Sequence, residues 1–305
     1  MTAEPPPPAL EVVEYTDPLC PWAWGSEPVF RRLRAALAGR VRWRRVYCLL
    51  FDLDDDPAPD SAAETAWYAG YVEGIGTHTR APRALRLSRV AASSWPSSLT
   101  AKAAELQGPE VAERVLRRLR ETVFVLGEPA DTPALALSAA GGVPGLDLER
   151  LSADAASAGV LERLRADRAE ARRPLPEVLS PAGRSPHPGA AKETGDGGYR
   201  YALPTLLVHA PAGHRVVPGW RSYEEYAAAV DALCPGAAAG RAPLSPSRAL
   251  RHYRSLTDPE RELLAEGSWP PREAVRVDTG NGPLWLHPEE AAVHPATRGG
   301  AHGAS

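Results

Sequence analysis

Lysine is almost missing from this 305-residue chain, which has only Lys102 and Lys192. Cysteine is nearly as scarce: Cys20, Cys48 and Cys234 stand far apart. Three thiols at such spacings give neither a disulfide framework nor the ligand spacing of a zinc site. No apolar run approaches the roughly 18 residues that suggest a membrane span. The opening MTAEPPPPAL has no basic start and no apolar stretch of roughly 7 to 15 residues, so it does not resemble a secretory signal. A cytoplasmic protein without membrane contact is expected. There is no G-x-G-x-x-G, no phosphate-binding P-loop and no G-x-S-x-G, so nucleotide cofactors and serine hydrolysis have no support. His78, His187, His209, His214 and His252 show no metal spacing and read as surface or loop residues. No bound metal or cofactor is expected.

What is present is an ordinary globular composition, 44% hydrophobic and 24% charged. The formal charge of −3 and the lack of a concentrated basic stripe argue against nucleic acid as a partner. The many arginines lie along helical stretches beside acids. They read as a compositional bias of GC-rich coding DNA rather than a phosphate-binding feature. The length fits one large domain or two ordinary ones.

Residues 10–15, LEVVEY, are β-branched and aromatic enough for a strand, which Pro18 and Pro21 then interrupt. From Glu27 to Leu37, Val29, Phe30, Leu33 and Leu37 recur at helical spacing. Residues 41–51 read as a second strand entering the middle of a sheet, with Cys48 in its apolar end. From about Ser61 to Arg173 the chain is mainly helical. Gly108-Pro109 and Thr132-Pro133 mark two helix starts, and Gly141-Gly142 a stop. The Pro/Gly-rich segment 174–198 reads as a surface loop. Thr205–Val208 and Arg215–Val217 then form a hairpin, and Ser222 with Glu225 makes a capping box ahead of another helix.

This order is that of an α/β, thioredoxin-like fold with a long helical insertion and a small C-terminal appendage. DPLCPWAW at 17–24, LPT at 203–205 and AAELQGPEVAERVLRRLRE at 103–121 resemble the active loop, proline loop and helical insert of the DsbA-like thioredoxin-fold family, in particular its cytoplasmic FrnE-type branch. The likeness covers about residues 10–235, with the insert at about 61–185. Residues 241–305 form an appendage of unknown role with a flexible tail. The resemblance implies a cis peptide at Pro204, facing Cys20 across a groove for substrate.

The family's active loop carries C-x-x-C, whereas here Ala23 stands where the second cysteine would be. A cysteine at a helix start faces free amides and the positive end of the helix dipole, so the Cys20 pKa is expected to fall. With no resolving partner, Cys20 would act alone: it forms a mixed disulfide that an outside low-molecular-weight thiol, as co-substrate, releases. Cys48 reads as a buried core residue and Cys234 as a half-buried one. Asp17, Pro21, Trp22, Ala23, Leu203 and Pro204 are the candidate substrate contacts around Cys20, and Asp17 either tunes the thiol or caps the loop. The expected activity is thiol–disulfide oxidoreduction or isomerisation on a protein or small-molecule thiol or disulfide. The alternatives are a thiol-cofactor-dependent isomerase or transferase, like the kappa-class glutathione transferases and 2-hydroxychromene-2-carboxylate isomerases, and a non-catalytic adaptor. Adaptors that deliver a regulator to a protease share the DPLCP opening, and for an adaptor the C-terminal appendage is a second protein contact.

Overall fold

A computed structural model describes residues 10–52, 60–181, 184–240 and 242–298. The chain runs β1 (Glu11–Thr16), α1 (Pro21–Leu37), β2 (Arg42–Tyr47), α2 (Ser61–Thr79), α3 (Trp95–Ala104), α4 (Pro109–Phe124), α5 (Pro133–Ala140), α6 (Leu148–Ala155) and α7 (Ala158–Ala171). It continues through β3 (Lys192–Glu193), β4 (Tyr199–Arg200), β5 (Thr205–Ala210), β6 (Gly213–Pro218), α8 (Tyr223–Asp231) and α9 (Pro246–Tyr253). Last come β7 (Ser255–Thr257), α10 (Asp258–Leu264), β8 (Val275–Val277), β9 (Leu284–Leu286), α11 (Pro288–Ala291) and α12 (Pro295–Arg298). The fold is α/β and thioredoxin-like, with a helical insertion and an additional small C-terminal sheet. No described helix is long and apolar enough to cross a membrane.

The main sheet has the order β2-β1-β5-β6, with β2 parallel to β1 and the other pairs antiparallel. The period of two in β1 separates its faces. Leu10 and Val12 pack with Phe30, Leu33 and Leu37 of α1, while Val13 and Tyr15 pack with Cys20, Val46 and Leu203. The helix signals act locally as expected. Pro109 opens α4 after Gly108, Thr132 caps α5, and Ser222 and Glu225 close the capping box of α8. One expectation needs correction. The second strand ends at Tyr47, so Cys48 follows it, although the Cys48 amide still donates to the Thr16 carbonyl. The helix whose periodic stretch runs from Glu27 begins at Pro21, with Cys20 in extended dihedrals as its N-cap, so Cys20 stands at a helix start as expected.

The described residues of the segment 174–198 mostly form the expected surface loop, but one point is held tightly. Gly189 and Gly219, at φ +79° and +77°, cross so closely that a Cβ on Gly189 would sit 2.2 Å from the Gly219 nitrogen. Only glycine accepts both the conformation and the approach. The crossing clamps the segment against the end of β6.

The arginines are more than a compositional bias. Arg31, Arg34, Arg45, Arg117, Arg118 and Arg120 are largely buried and meet Glu14, Glu27, Glu113, Glu121, Glu260 and Glu290. Glu14 sits in central strand β1 with no exposed surface. Burial pushes its carboxyl up, but Arg45, Arg34 and Arg120 together hold it below the usual carboxylate range. Glu260 also has no exposed surface. It caps α10 in a box with Thr257 and takes both Nη1 (2.8 Å) and Nη2 (2.9 Å) of Arg117, with Arg31 at 3.1 Å. The C-terminal segment is thus bolted to α1 and α4. It has its own three-stranded sheet, order β7-β9-β8, in which β8 and β9 form an antiparallel hairpin. The end of the expected flexible tail, residues 299–305, lies outside the described residues.

Removing one partner of a buried pair leaves the other charge uncompensated. Glu260→Ala should therefore lower unfolding free energy by about 3–5 kcal/mol in urea titrations. Glu262→Ala, whose partner Arg80 is 60% exposed, should cost less than about 1 kcal/mol. Burial opposes ionisation of Glu260, but Arg117 and Arg31 hold its pKa lowered, as similar forces do for Glu14. A lowered carboxylate pKa stabilises the fold above the unfolded value and is lost as pH falls through the folded one. Stability measured against pH should therefore drop on acidification below roughly pH 4, with a smaller acid dependence in Glu260→Ala.

Candidate functional site

The site is built where β1 runs into α1. The Asp17 carboxylate accepts from the amides of Leu19 (2.8 Å) and Leu50 (2.8 Å) and from the Ser94 hydroxyl (3.1 Å). It ties together the active loop, the end of β2 and the start of α3. Asp17 has no exposed surface and its side chain is taken up by these three donors, which is the loop-capping role considered for it. Burial pushes its carboxyl up to about 6, against the pull of those three donors.

Cys20 caps α1 with φ −87° and ψ 117°, and its carbonyl accepts the first helical bond from the Trp24 amide at 3.0 Å. Its Sγ lies 3.9 Å from the Leu203 carbonyl oxygen, beside the cis Leu203–Pro204 peptide. Cys20 and the proline loop therefore meet, as the resemblance implied. Tyr15 stacks on Tyr201 at 3.9 Å and supports that loop from beneath.

The expected fall in the Cys20 pKa does not occur. The residue is only 3% exposed, and burial pushes the thiol up to about 11. The Ala23 and Trp22 amides and Arg120 pull the other way, while Asp17 adds to the rise. The magnitudes explain the outcome. A charge at a helix end is worth up to about 2 kcal/mol, or roughly 1.5 pKa units, whereas full burial can move a group by about 3–5 units. At neutral pH Cys20 is overwhelmingly the neutral thiol. Cys48 is 2% exposed and burial pushes its thiol well above the ordinary value. It is the core cysteine expected, and Cys234 is half-buried as expected. Ala23 has no exposed surface.

Around Cys20 stands a wall of rings. Trp22, 7% exposed, stacks on His187 at 4.8 Å and 11°, with His78 and Trp220 each at 6.3 Å. Its Nε1 donates to the Tyr71 hydroxyl at 3.2 Å, and Tyr71 stacks on Trp67 at 5.8 Å. Trp67 is 67% exposed and Tyr71 43%. Trp24 instead turns into the core, where its Nε1 donates to the Pro82 carbonyl and its ring stacks on Phe124. His187 is no loose loop residue. Its Nε2 lies 2.8 Å from the Leu203 carbonyl oxygen, and since a carbonyl can only accept, that nitrogen carries the proton. Burial drives its pKa down to about 4, so the ring is neutral at physiological pH. Sequence reasoning missed His187, Trp220, Trp67 and Tyr71. The Gly189–Gly219 crossing carries the first two. For the others the signal was two aromatics one turn apart on α2, and Gly25 lets α2 approach: a Cβ there would lie 2.5 Å from the Thr79 Cγ2. The described residues contain no cluster able to hold a metal ion.

This geometry defines a thioredoxin-fold protein with a buried, unactivated single thiol beside a cluster of aromatic rings. A family profile described as thioredoxin matches residues 14–173, and the chain belongs to that family. It is 30% identical over 161 residues to a ClpXP adapter protein SpxH of Shouchella clausii, and 28% identical over 165 residues to that of Bacillus subtilis. In both cases 52% of each chain is covered, so the chain spans about half the length of the curated relatives it matches. Among solved structures, a candidate protein disulfide isomerase from Nitrosomonas europaea superposes with TM-score 0.57 at 16% identity, over 73% of this chain and 96% of that one. A probable DsbA oxidoreductase from Streptomyces coelicolor gives 0.52 at 18%, over 77% and 93%. These two likenesses concern the fold alone.

Alkylation of Cys20 with iodoacetamide, followed peptide by peptide against pH, should show a midpoint near 11. At pH 7 its rate should fall at least tenfold below that of a free cysteine in a peptide. A midpoint below about 8, under the reference thiol, would show that the helix end overcomes burial.

Proposed function

We propose that this protein is an adapter-like docking module that binds a protein partner across the aromatic face running from Trp22 through Tyr71 to Trp67, and that Cys20 does not exchange disulfides. The observation that carries this reading is the state of the thiol: 3% exposed, raised to about 11, with Ala23 where a resolving cysteine would stand. Thiol exchange needs a thiolate that can reach its target. The aromatic face beside it has what a docking surface uses. Trp and Tyr are enriched among the residues that dominate interface energies, and here they form a continuous path from Trp22 through Tyr71 to exposed Trp67.

The relatives named ClpXP adapters, similar over about half of this chain, support the same choice. The partner would be the ClpXP protease or a protein presented to it, which would place this protein in the cytoplasm. The C-terminal segment is locked to α1 and α4 and would act as part of the same rigid body, not as a separate second contact.

The test is a binding titration of purified ClpX, and of candidate cargo proteins, against native protein, Cys20→Ser and Trp67→Ala. Cys20→Ser should bind within twofold of native, with or without an added low-molecular-weight thiol. Trp67→Ala should weaken binding at least tenfold, as expected for the loss of an interface aromatic worth about 2 kcal/mol. A trapped mixed disulfide between native protein and partner, together with loss of activity in Cys20→Ser, would return the single-thiol oxidoreductase reading.

A further inference from the structure

A second cavity, of about 580 Å³, lies away from Cys20 in the seam between α1, α4 and the C-terminal segment. Seven arginines and four glutamates line it, with an apolar floor that includes Leu244, Tyr253 and Leu263. Its volume is that of a small-molecule site, which is typically about 300–1,000 Å³.

Most of the lining charges neutralise one another, but some guanidinium capacity is left over. Among the described residues, Arg32 rests on the Tyr223 ring at 3.9 Å and exposed Arg248 has no carboxylate partner. The Nε of Arg31 and the Nε of Arg254 are buried donors with no hydrogen-bond acceptor, and Arg31 as a whole is 4% exposed. Arg31 Nε lies 3.4 Å from Glu27, without the geometry of a hydrogen bond. A buried donor without a partner is costly and calls for an explanation. Arg254 adds a second anomaly. It ends α9 at φ +65°, a conformation that favours glycine, so its side chain is kept at the cavity against backbone strain.

We propose that this cavity binds a small molecule with an oxyanion head group and an apolar body. The head is held by the guanidinium groups of Arg31, Arg248 and Arg254, and the body lies on Leu244, Tyr253 and Leu263. Guanidinium forks match the oxygens of both phosphate and carboxylate. The site is independent of the adapter reading, since it shares no residue with the Trp22–Trp67 face.

The test is calorimetric titration of the full chain with phenyl phosphate and with benzoate, at ionic strength matched by sodium chloride, on native protein, Arg248→Ala and Arg254→Gly. Native protein should bind at least one of the two saturably, and the tighter one identifies the head group. Each variant should weaken that binding at least tenfold. Arg254→Gly relieves the left-handed strain, and Arg248→Ala changes an exposed side chain, so both variants should fold as the native protein does. The inference is overturned if neither compound gives a saturable signal beyond the salt control. It is equally overturned if both variants bind as the native protein does.

Discussion

The structure depends on charge buried between helices. Six arginines and six glutamates hold β1, α1, α4 and the C-terminal segment in one arrangement, centred on Glu14 and Glu260, which have no exposed surface. Such pairs contribute little net stability against a well-packed apolar core, because desolvation offsets most of the attraction. What they fix is register. Each glutamate is satisfied only when a particular helix face meets it, so sliding α4 or the C-terminal segment by one turn would strand several charges at once. Even the native arrangement leaves donors such as the Arg118 and Arg120 Nε atoms unpaired, and further mismatch would add to that cost.

The network also sets the character of the site. It ties α1 to β1, β2 and α4, and α2 and the clamped segment 184–191 pack beside its N-terminus. The helix end that should activate Cys20 is therefore as dry as the core. Two effects with opposite sign meet at one sulfur, and burial is the larger. The same dryness keeps His187 neutral and raises Asp17. The loop is organised for rigidity, and the Trp67–Tyr71 face of α2 beside it is open to solvent.

How much of this was legible in the sequence follows from the range of each signal. Local signals worked: proline at a first helical position, the Ser222 capping box, alternation in β1 and the proline loop at 203–205 each act within a few residues. The failures are long-range. Nothing within VFRRLR or LRRLRE shows that Arg31 and Arg117 meet Glu260 more than a hundred residues away, so charges that would ordinarily be solvated were not recognised as core. The thiol expectation failed similarly. A helix start is visible in sequence, but what covers it comes from Trp22, Leu203 and a Pro/Gly segment whose packing depends on two glycines crossing.

An adapter and a thiol enzyme place opposite demands on the same scaffold. An enzyme must expose a thiolate and then release its mixed disulfide, which requires either a second thiol or an external one with access. An adapter must release its partner unchanged, and a reactive thiol at the docking surface would trap it covalently. Here Ala23 removes the internal route for release, and burial of Cys20 removes the covalent bond that would need one. Restoring only the second cysteine would leave two buried thiols with little thiolate between them. The two departures from the redox pattern are therefore coupled: under the adapter reading proposed above, loss of the resolving thiol is harmless once the attacking thiol is sealed.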